Sequence, residues 1–99
     1  MNPQRKSAIN KALTHLIPGV SFSDAEKIRK MALSPHMNSL HPSAAIRLAT
    51  VAYIRHCYTD YDELMDTGYD HDAARFFVAP IIQEKLVEWQ ANFNLQIEE

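Results

Sequence analysis

An almost continuously apolar stretch in the middle of the chain, Ala44 to Ile54, most constrains how the chain can fold. Within it only Arg47 and Thr50 are strongly polar, and at about 100° per residue both side chains project to one narrow side of a helix. Nearly the whole circumference of that helix is therefore available for burial. We predict a central helix over about residues 43–57, with other helices packed around it.

The composition favours an all-α fold. Only 2 of the 99 residues are glycine, too few for the many tight turns of a sandwich or barrel, and no alternating apolar and polar run predicts a half-buried strand. A hydrophobic content of 46% is enough for one buried core without metal or disulfide staples. We expect residues 1–99 to form a single domain, a compact bundle of about five helices.

Helix-start signals, in which a side-chain oxygen accepts hydrogen bonds from the first free N–H groups, occur four times outside the central helix. They are Asn2 before Pro3, Ser23 with Glu26, Thr59 with Asp62, and Asp70. Together with the apolar stripes that follow them, these signals predict helices over about 3–17, 24–33 and 60–66, and a fifth helix after Asp70.

The fifth helix carries two apolar stripes that are about 100° out of phase on an ideal helix. The first consists of Ala74, Phe77, Val78 and Ile81, and the second of Ile82, Leu86, Trp89 and Phe93. Because Pro80 lacks the N–H of a helical hydrogen bond and crowds the preceding turn, the change of phase predicts a kink or break there.

The densest group of polar side chains comes directly after the central helix. Its predicted members, with one later arginine, are Arg55, His56, Thr59, Tyr61, Asp62 and Arg75. As a structural cluster, the two arginines would neutralise Asp62 or Asp66 where helix ends converge, and the pKa of Asp62 would be lowered.

As a catalytic cluster, His56 with Asp60 and Asp62 would bind a metal or act as an acid–base pair, oriented by Tyr58 or Tyr61. We favour the structural interpretation, because the chain has no recognisable nucleophile, phosphate loop or metal-ligand spacing. His36 and His41 also match no zinc spacing, and Trp89 and the four methionines fit core positions. We predict no metal and no cofactor.

The compartment is predicted from what the chain lacks. One cysteine, Cys57, cannot form an internal disulfide, and the N-terminus has no apolar core of a secretory signal. No apolar run approaches the roughly twenty residues that cross a bilayer. We expect a cytoplasmic protein without a membrane partner.

Charge is unevenly distributed along the chain. Residues 1–50 hold seven Lys and Arg against two acids (+5), and residues 51–99 hold three against ten (−7). A basic surface on the first two helices would consist of Arg5, Lys6, Lys11, Lys27 and Lys30. A helix-turn-helix is not predicted, because the would-be recognition helix lacks a polar, base-reading face.

A series of polar and glycine positions follows the central apolar helix in a set order. They are Arg55-His56, Thr59 with Tyr61-Asp62, Gly68, Ala74-Arg75 and Trp89. In this order and spacing the second half of the chain resembles an uncharacterised bacterial and fungal family, catalogued as domain of unknown function 2293. The resemblance implies a fold and a polar constellation, and it implies no activity.

Three functions are compatible with these observations. The first is a small non-enzymatic module that binds a protein partner or a second copy of itself through charged faces or grooves. The second is a nucleic-acid accessory domain that uses the basic N-terminal helices, which the acidic overall balance disfavours. The third is a metal-dependent enzyme at His56, Asp60 and Asp62.

Overall fold

A computed structural model describes residues 2–95, and every regular element in that part of the chain is helical. The elements are α1 (Pro3–Leu16), α2 (Phe22–Ala32), a 3₁₀ turn (Pro35–Met37), α3 (Pro42–Tyr58), α4 (Tyr61–Asp66) and α5 (His71–Glu88). The prediction of an all-α bundle of about five helices is confirmed. Over the described residues, no helix is both long enough and apolar enough to cross a membrane.

The central helix is α3, which packs against α1, α2, α4 and α5. Its inner side is completely buried at Ala45, Ile46, Ala49 and Ile54. The polar side was predicted wrongly, because Thr50 is also fully buried, whereas Leu48 is 54% exposed. Thr50 is short, and beside alanines it fits between closely packed helices. The exposed side of α3 instead carries Arg47 and Leu48.

Of the four predicted helix starts, those at Asn2 and Asp70 are confirmed, and those at Ser23 and Thr59 are wrong, since α4 has Asp60 and not Thr59 at its N-cap. Asn2 accepts hydrogen bonds from the backbone of α1, and Asp70 accepts one from Ala73 N at 2.8 Å. The second helix begins at Phe22, one residue after its cap Ser21, and not after Ser23. Ser21 and Asp24 have the same three-residue spacing as the predicted box, and Ser21 Oγ accepts the Asp24 N–H.

Pro80 does not interrupt α5, which runs as one helix from His71 to Glu88. The predicted break is wrong because Phe77 and Ile81 lie outside the core, 58% and 43% exposed. Without them, one buried stripe at a spacing of three or four residues follows the whole helix and needs no change of phase. It consists of Ala74, Val78, Ile82, Leu86 and Trp89.

The turn between α1 and α2 is bonded to the C-terminal end of α5. Gly19 N donates to Trp89 O at 2.8 Å, and Asn92 N donates to Leu16 O at 2.8 Å. A Cβ on Gly19 would lie 3.0 Å from the Trp89 carbonyl, so a larger residue would require this backbone to shift. The Trp89 ring also contacts Tyr58, at the C-terminal end of α3.

Candidate functional site

The predicted polar cluster, Arg55, His56, Thr59, Tyr61, Asp62 and Arg75, lies where α3 ends and α4 and α5 begin; we call it the junction cluster. The Arg55 guanidinium lies over the Tyr61 ring, 5.4 Å from its centroid. Thr59 Oγ1 donates to Arg55 O and accepts from Tyr61 N, so it joins the end of α3 to the first residue of α4. The hydroxyl of Tyr61 is 2.9 Å from Nδ1 of His71, which ties α4 to α5.

The ion pairing within the junction cluster differs from the prediction. Asp62 pairs with His56, and both side chains are mostly exposed. Neither Arg55 nor Arg75 forms an ion pair within residues 2–95, so the predicted neutralisation of Asp62 or Asp66 is wrong. Burial and then the neighbouring charge of Arg75 lower the pKa of Arg55. The role of this cluster stays a prediction.

The metal-site alternative requires His56, Asp60 and Asp62 to converge. In the described part of the chain, no three His, Cys, Asp or Glu side chains come together in a way that could hold a metal ion. His56, Asp60 and Asp62 therefore do not form a three-ligand group there.

Of the five residues predicted for the basic surface, Arg5 is not available to a ligand. Arg5 donates to Met37 O at 2.8 Å and to Leu40 O at 2.9 Å, and these bonds fix the loop before α3. Its guanidinium is therefore engaged by backbone carbonyls rather than presented to a ligand. The lysines of the set, Lys6, Lys11, Lys27 and Lys30, are exposed on α1 and α2.

A second polar cluster, around Asp24, was not predicted. Its carboxylate accepts hydrogen bonds from the hydroxyls of Tyr53, of Tyr58 at 2.7 Å and of Ser21 at 3.0 Å. Burial alone would raise the pKa of Asp24, but the tyrosine and serine hydrogen bonds, with the charge of Lys27, outweigh it and lower that pKa. The cluster joins the start of α2 to the end of α3.

The aromatic rings of this cluster extend to α5. The Tyr58 ring stands edge-on to Trp89, with 6.1 Å between centroids, and Lys85 Nζ lies 4.2 Å from the Tyr58 centroid. The hydrogen bond to Asp24, with burial, raises the pKa of Tyr58 to about 12. Because these groups bond to one another, the arrangement fastens helices together and presents no activated base or nucleophile.

An exposed apolar face on α5 also escaped prediction. Phe76 and Phe77 are 71% and 58% exposed, and Ile81 lies one turn beyond Phe77. Tyr69 stacks edge-on against Phe77, with 5.5 Å between centroids. We call Tyr69, Phe76, Phe77 and Ile81 the α5 aromatic surface. Beside it lies an open groove of about 220 Å³, lined by Asp60, Leu64, Tyr69, Phe77, Val78 and Ile81.

Acidic side chains border the α5 aromatic surface. Asp60 lines the groove, and Glu84 follows Phe77 by seven residues, so that it continues the same stripe of α5. Within residues 2–95, neither carboxylate forms an ion pair. Glu88 continues the stripe of Ile81 in the same way and pairs with Lys85 at 3.0 Å. The surface therefore combines exposed aromatic rings with unneutralised negative charge.

Comparison with known proteins identifies the family of the chain. A family described as an uncharacterised conserved protein, DUF2293, matches residues 12–90. The chain belongs to the DUF2293 family. The matched region extends from α1 through α5 and includes the junction cluster, the Asp24 cluster and the α5 aromatic surface. No curated protein and no solved structure matches the chain.

Proposed function

We propose that this DUF2293 protein is a non-enzymatic interaction module that binds a cationic amphipathic helix of a partner protein on the α5 aromatic surface. The observation that carries the proposal is the exposure of Phe77, Ile81 and Tyr69 at an open groove that they line, with Phe76 exposed next to Phe77 in the chain. Contiguous exposed apolar residues rimmed by polar groups are typical of protein-binding surfaces. Amphipathic helices bind such grooves through apolar residues spaced by three or four positions.

The size of the surface favours a single helix over a second copy of the chain. Taking about 200 Å² for each aromatic side chain, the exposed fractions of Tyr69, Phe76 and Phe77 give roughly 350 Å². A stable dimer buries about 800 Å² on each partner. The surface therefore suits one short helix better than a stable interface between two copies.

The charge at the rim defines the chemistry of the partner. Asp60 lines the groove, Glu84 continues the stripe of Phe77, and neither forms an ion pair in the described part. Two copies meeting through this face would bring the same acids together, which is unfavourable. Lysines or arginines flanking an apolar stripe would pair with these acids, so we propose a basic helix as the partner.

We place this interaction in the cytoplasm. Cys57 is exposed and forms no disulfide within the described residues. Reducing compartments preserve such thiols, whereas disulfides persist in oxidising ones.

The proposal can be tested with a defined probe, a peptide of about 18 residues in which leucines and lysines follow helical periodicity. Fluorescence anisotropy would give its affinity for the unmodified protein and for Phe77→Ser. We expect Phe77→Ser to weaken binding by about tenfold or more, because truncating a central aromatic contact removes much of the binding energy. The matched control is Phe22→Ser, which replaces a phenylalanine that is 79% exposed on α2.

Three further results would distinguish the alternatives. A peptide with glutamate in place of lysine should not bind, and 1 M salt should weaken the lysine peptide, since the Debye length falls to about 3 Å. Equal affinity of Phe77→Ser and Phe22→Ser for the lysine peptide would contradict the proposal. A dimer in light scattering that dissociates in Phe77→Ser would instead assign the surface to a second copy. Duplex DNA binding lost in Lys27→Gln would favour the basic helices.

A further inference from the structure

Two arginines of the junction cluster lie outside the ion pairs of the described residues. Neither Arg55 nor Arg75 forms an ion pair in the described part of the chain, although residues 51–99 contain ten acids and only three Lys or Arg. Arg55 is half-buried against the Tyr61 ring, and its buried Nε has no hydrogen-bond partner there. The junction cluster therefore holds two cations outside ion pairs in an acidic part of the protein.

The helices direct these arginines to one place. On α5, His71 and Arg75 are one turn apart, and Arg75 precedes the buried Val78 by three residues, so both continue the inward-facing side of the helix beyond the core. His71 is held by the Tyr61 hydroxyl at 2.9 Å, and Tyr61 lies under Arg55. Contacts thus connect Arg55, Tyr61 and His71 across three helices, and Arg75 lies one turn beyond His71 on α5.

We propose that Arg55 and Arg75 together bind a phosphate group, either inorganic phosphate or a phosphate monoester. A monoester carries a charge of about −1.5 to −2 at pH 7, enough to balance both guanidinium groups, whereas one carboxylate balances a single arginine. Guanidinium groups also donate paired N–H groups that match the oxygens of phosphate.

This site is independent of the α5 aromatic surface. Arg75 and Phe77 are two residues apart on α5 and therefore point in nearly opposite directions. The repulsion between the arginines, which contributes to the lowered pKa of Arg55, would be relieved by an anion between them. Phosphate binding and helix binding can consequently be measured separately.

An NMR titration with inorganic phosphate, at constant pH and ionic strength, tests the site through the arginine side-chain Nε–Hε signals. We expect saturable shifts of the Arg55 and Arg75 signals and no saturable shift of Arg47, an exposed arginine on the outer side of α3. Arg75→Gln should weaken phosphate binding by about tenfold, whereas Arg47→Gln should leave it unchanged. Because Arg75 is exposed, its replacement should preserve the fold, which the backbone spectrum would verify.

A second titration, with phenyl phosphate, distinguishes the two sources of the group. Tighter binding of phenyl phosphate would assign the site to a phosphorylated molecule, and tighter binding of inorganic phosphate would assign it to the free ion. The absence of saturation with both compounds, or equal shifts of Arg47, would overturn the proposal. Unchanged phosphate affinity in Arg75→Gln would overturn it as well.

Discussion

Among single residues, Asp24 joins two helices through hydrogen bonds that the residues around it in the sequence do not predict. Its carboxylate accepts hydroxyl hydrogen bonds from Tyr53 and Tyr58, which are 29 and 34 residues away. Asp24 lies at the start of α2, and Tyr53 and Tyr58 lie on α3. The hydrogen bonds between them form only because α2 packs on α3. No local pattern predicts it.

Asp24→Asn should destabilise the protein at neutral pH by about 1 to 3 kcal/mol, because hydrogen bonds to a charged acceptor are lost or weakened. Since the folded pKa of Asp24 is lowered, its stabilisation is present above the unfolded value near 4 and is lost as pH falls through the folded pKa. Urea unfolding between pH 7 and pH 2 would measure this. Asp24→Asn should flatten the acid limb.

The matched control for that measurement is Asp72→Asn, which replaces an exposed aspartate of α5 with no side-chain hydrogen bond in the described part. An acid limb that is equally steep in Asp24→Asn and in the unmodified protein would show that Asp24 does not carry it.

Among the helices, the burial of α3 was predictable from the sequence. For α5 the helix was predictable, but the side that faces the core was not. A long apolar run can only be buried in a small domain, so the position of α3 follows from its composition. For α5 both Val78 and its neighbour Phe77 are apolar, and periodicity alone did not decide which of them faces the core. Packing decided it, because alanine and valine fit closely against α3 while both phenylalanines remain outside.

Ala49→Asp should prevent folding. Ala49 is completely buried on α3, and an unpaired carboxylate there would be desolvated in a space that fits only a methyl group. Circular dichroism should show loss of the cooperative thermal transition. Arg47→Asp, an exposed substitution on the same helix, should keep that transition within a few degrees of the unmodified protein. A folded Ala49→Asp variant with an unchanged midpoint would contradict the central position of α3.

For the whole molecule, the sequence indicated an unequal distribution of charge along the chain, but not which charged residues lie beside the α5 aromatic surface. Several charges of the basic half are engaged internally, including Arg5 with backbone carbonyls and Arg29 with Glu26. The acidic half leaves Asp60 and Glu84 beside exposed aromatic rings. The location of the α5 aromatic surface depends on which side of α5 is buried, so it could not be predicted before the packing of that helix was known.

Binding of a basic amphipathic helix to the α5 aromatic surface can be tested by mapping the lysine and leucine peptide on the protein by NMR. Amide and aromatic signals would be followed during titration at 0.1 M salt. If the peptide binds there, the largest shifts should occur at Tyr69, Phe76, Phe77, Ile81 and Glu84. Shifts concentrated instead on the lysines of α1 and α2, with α5 unaffected, would contradict it.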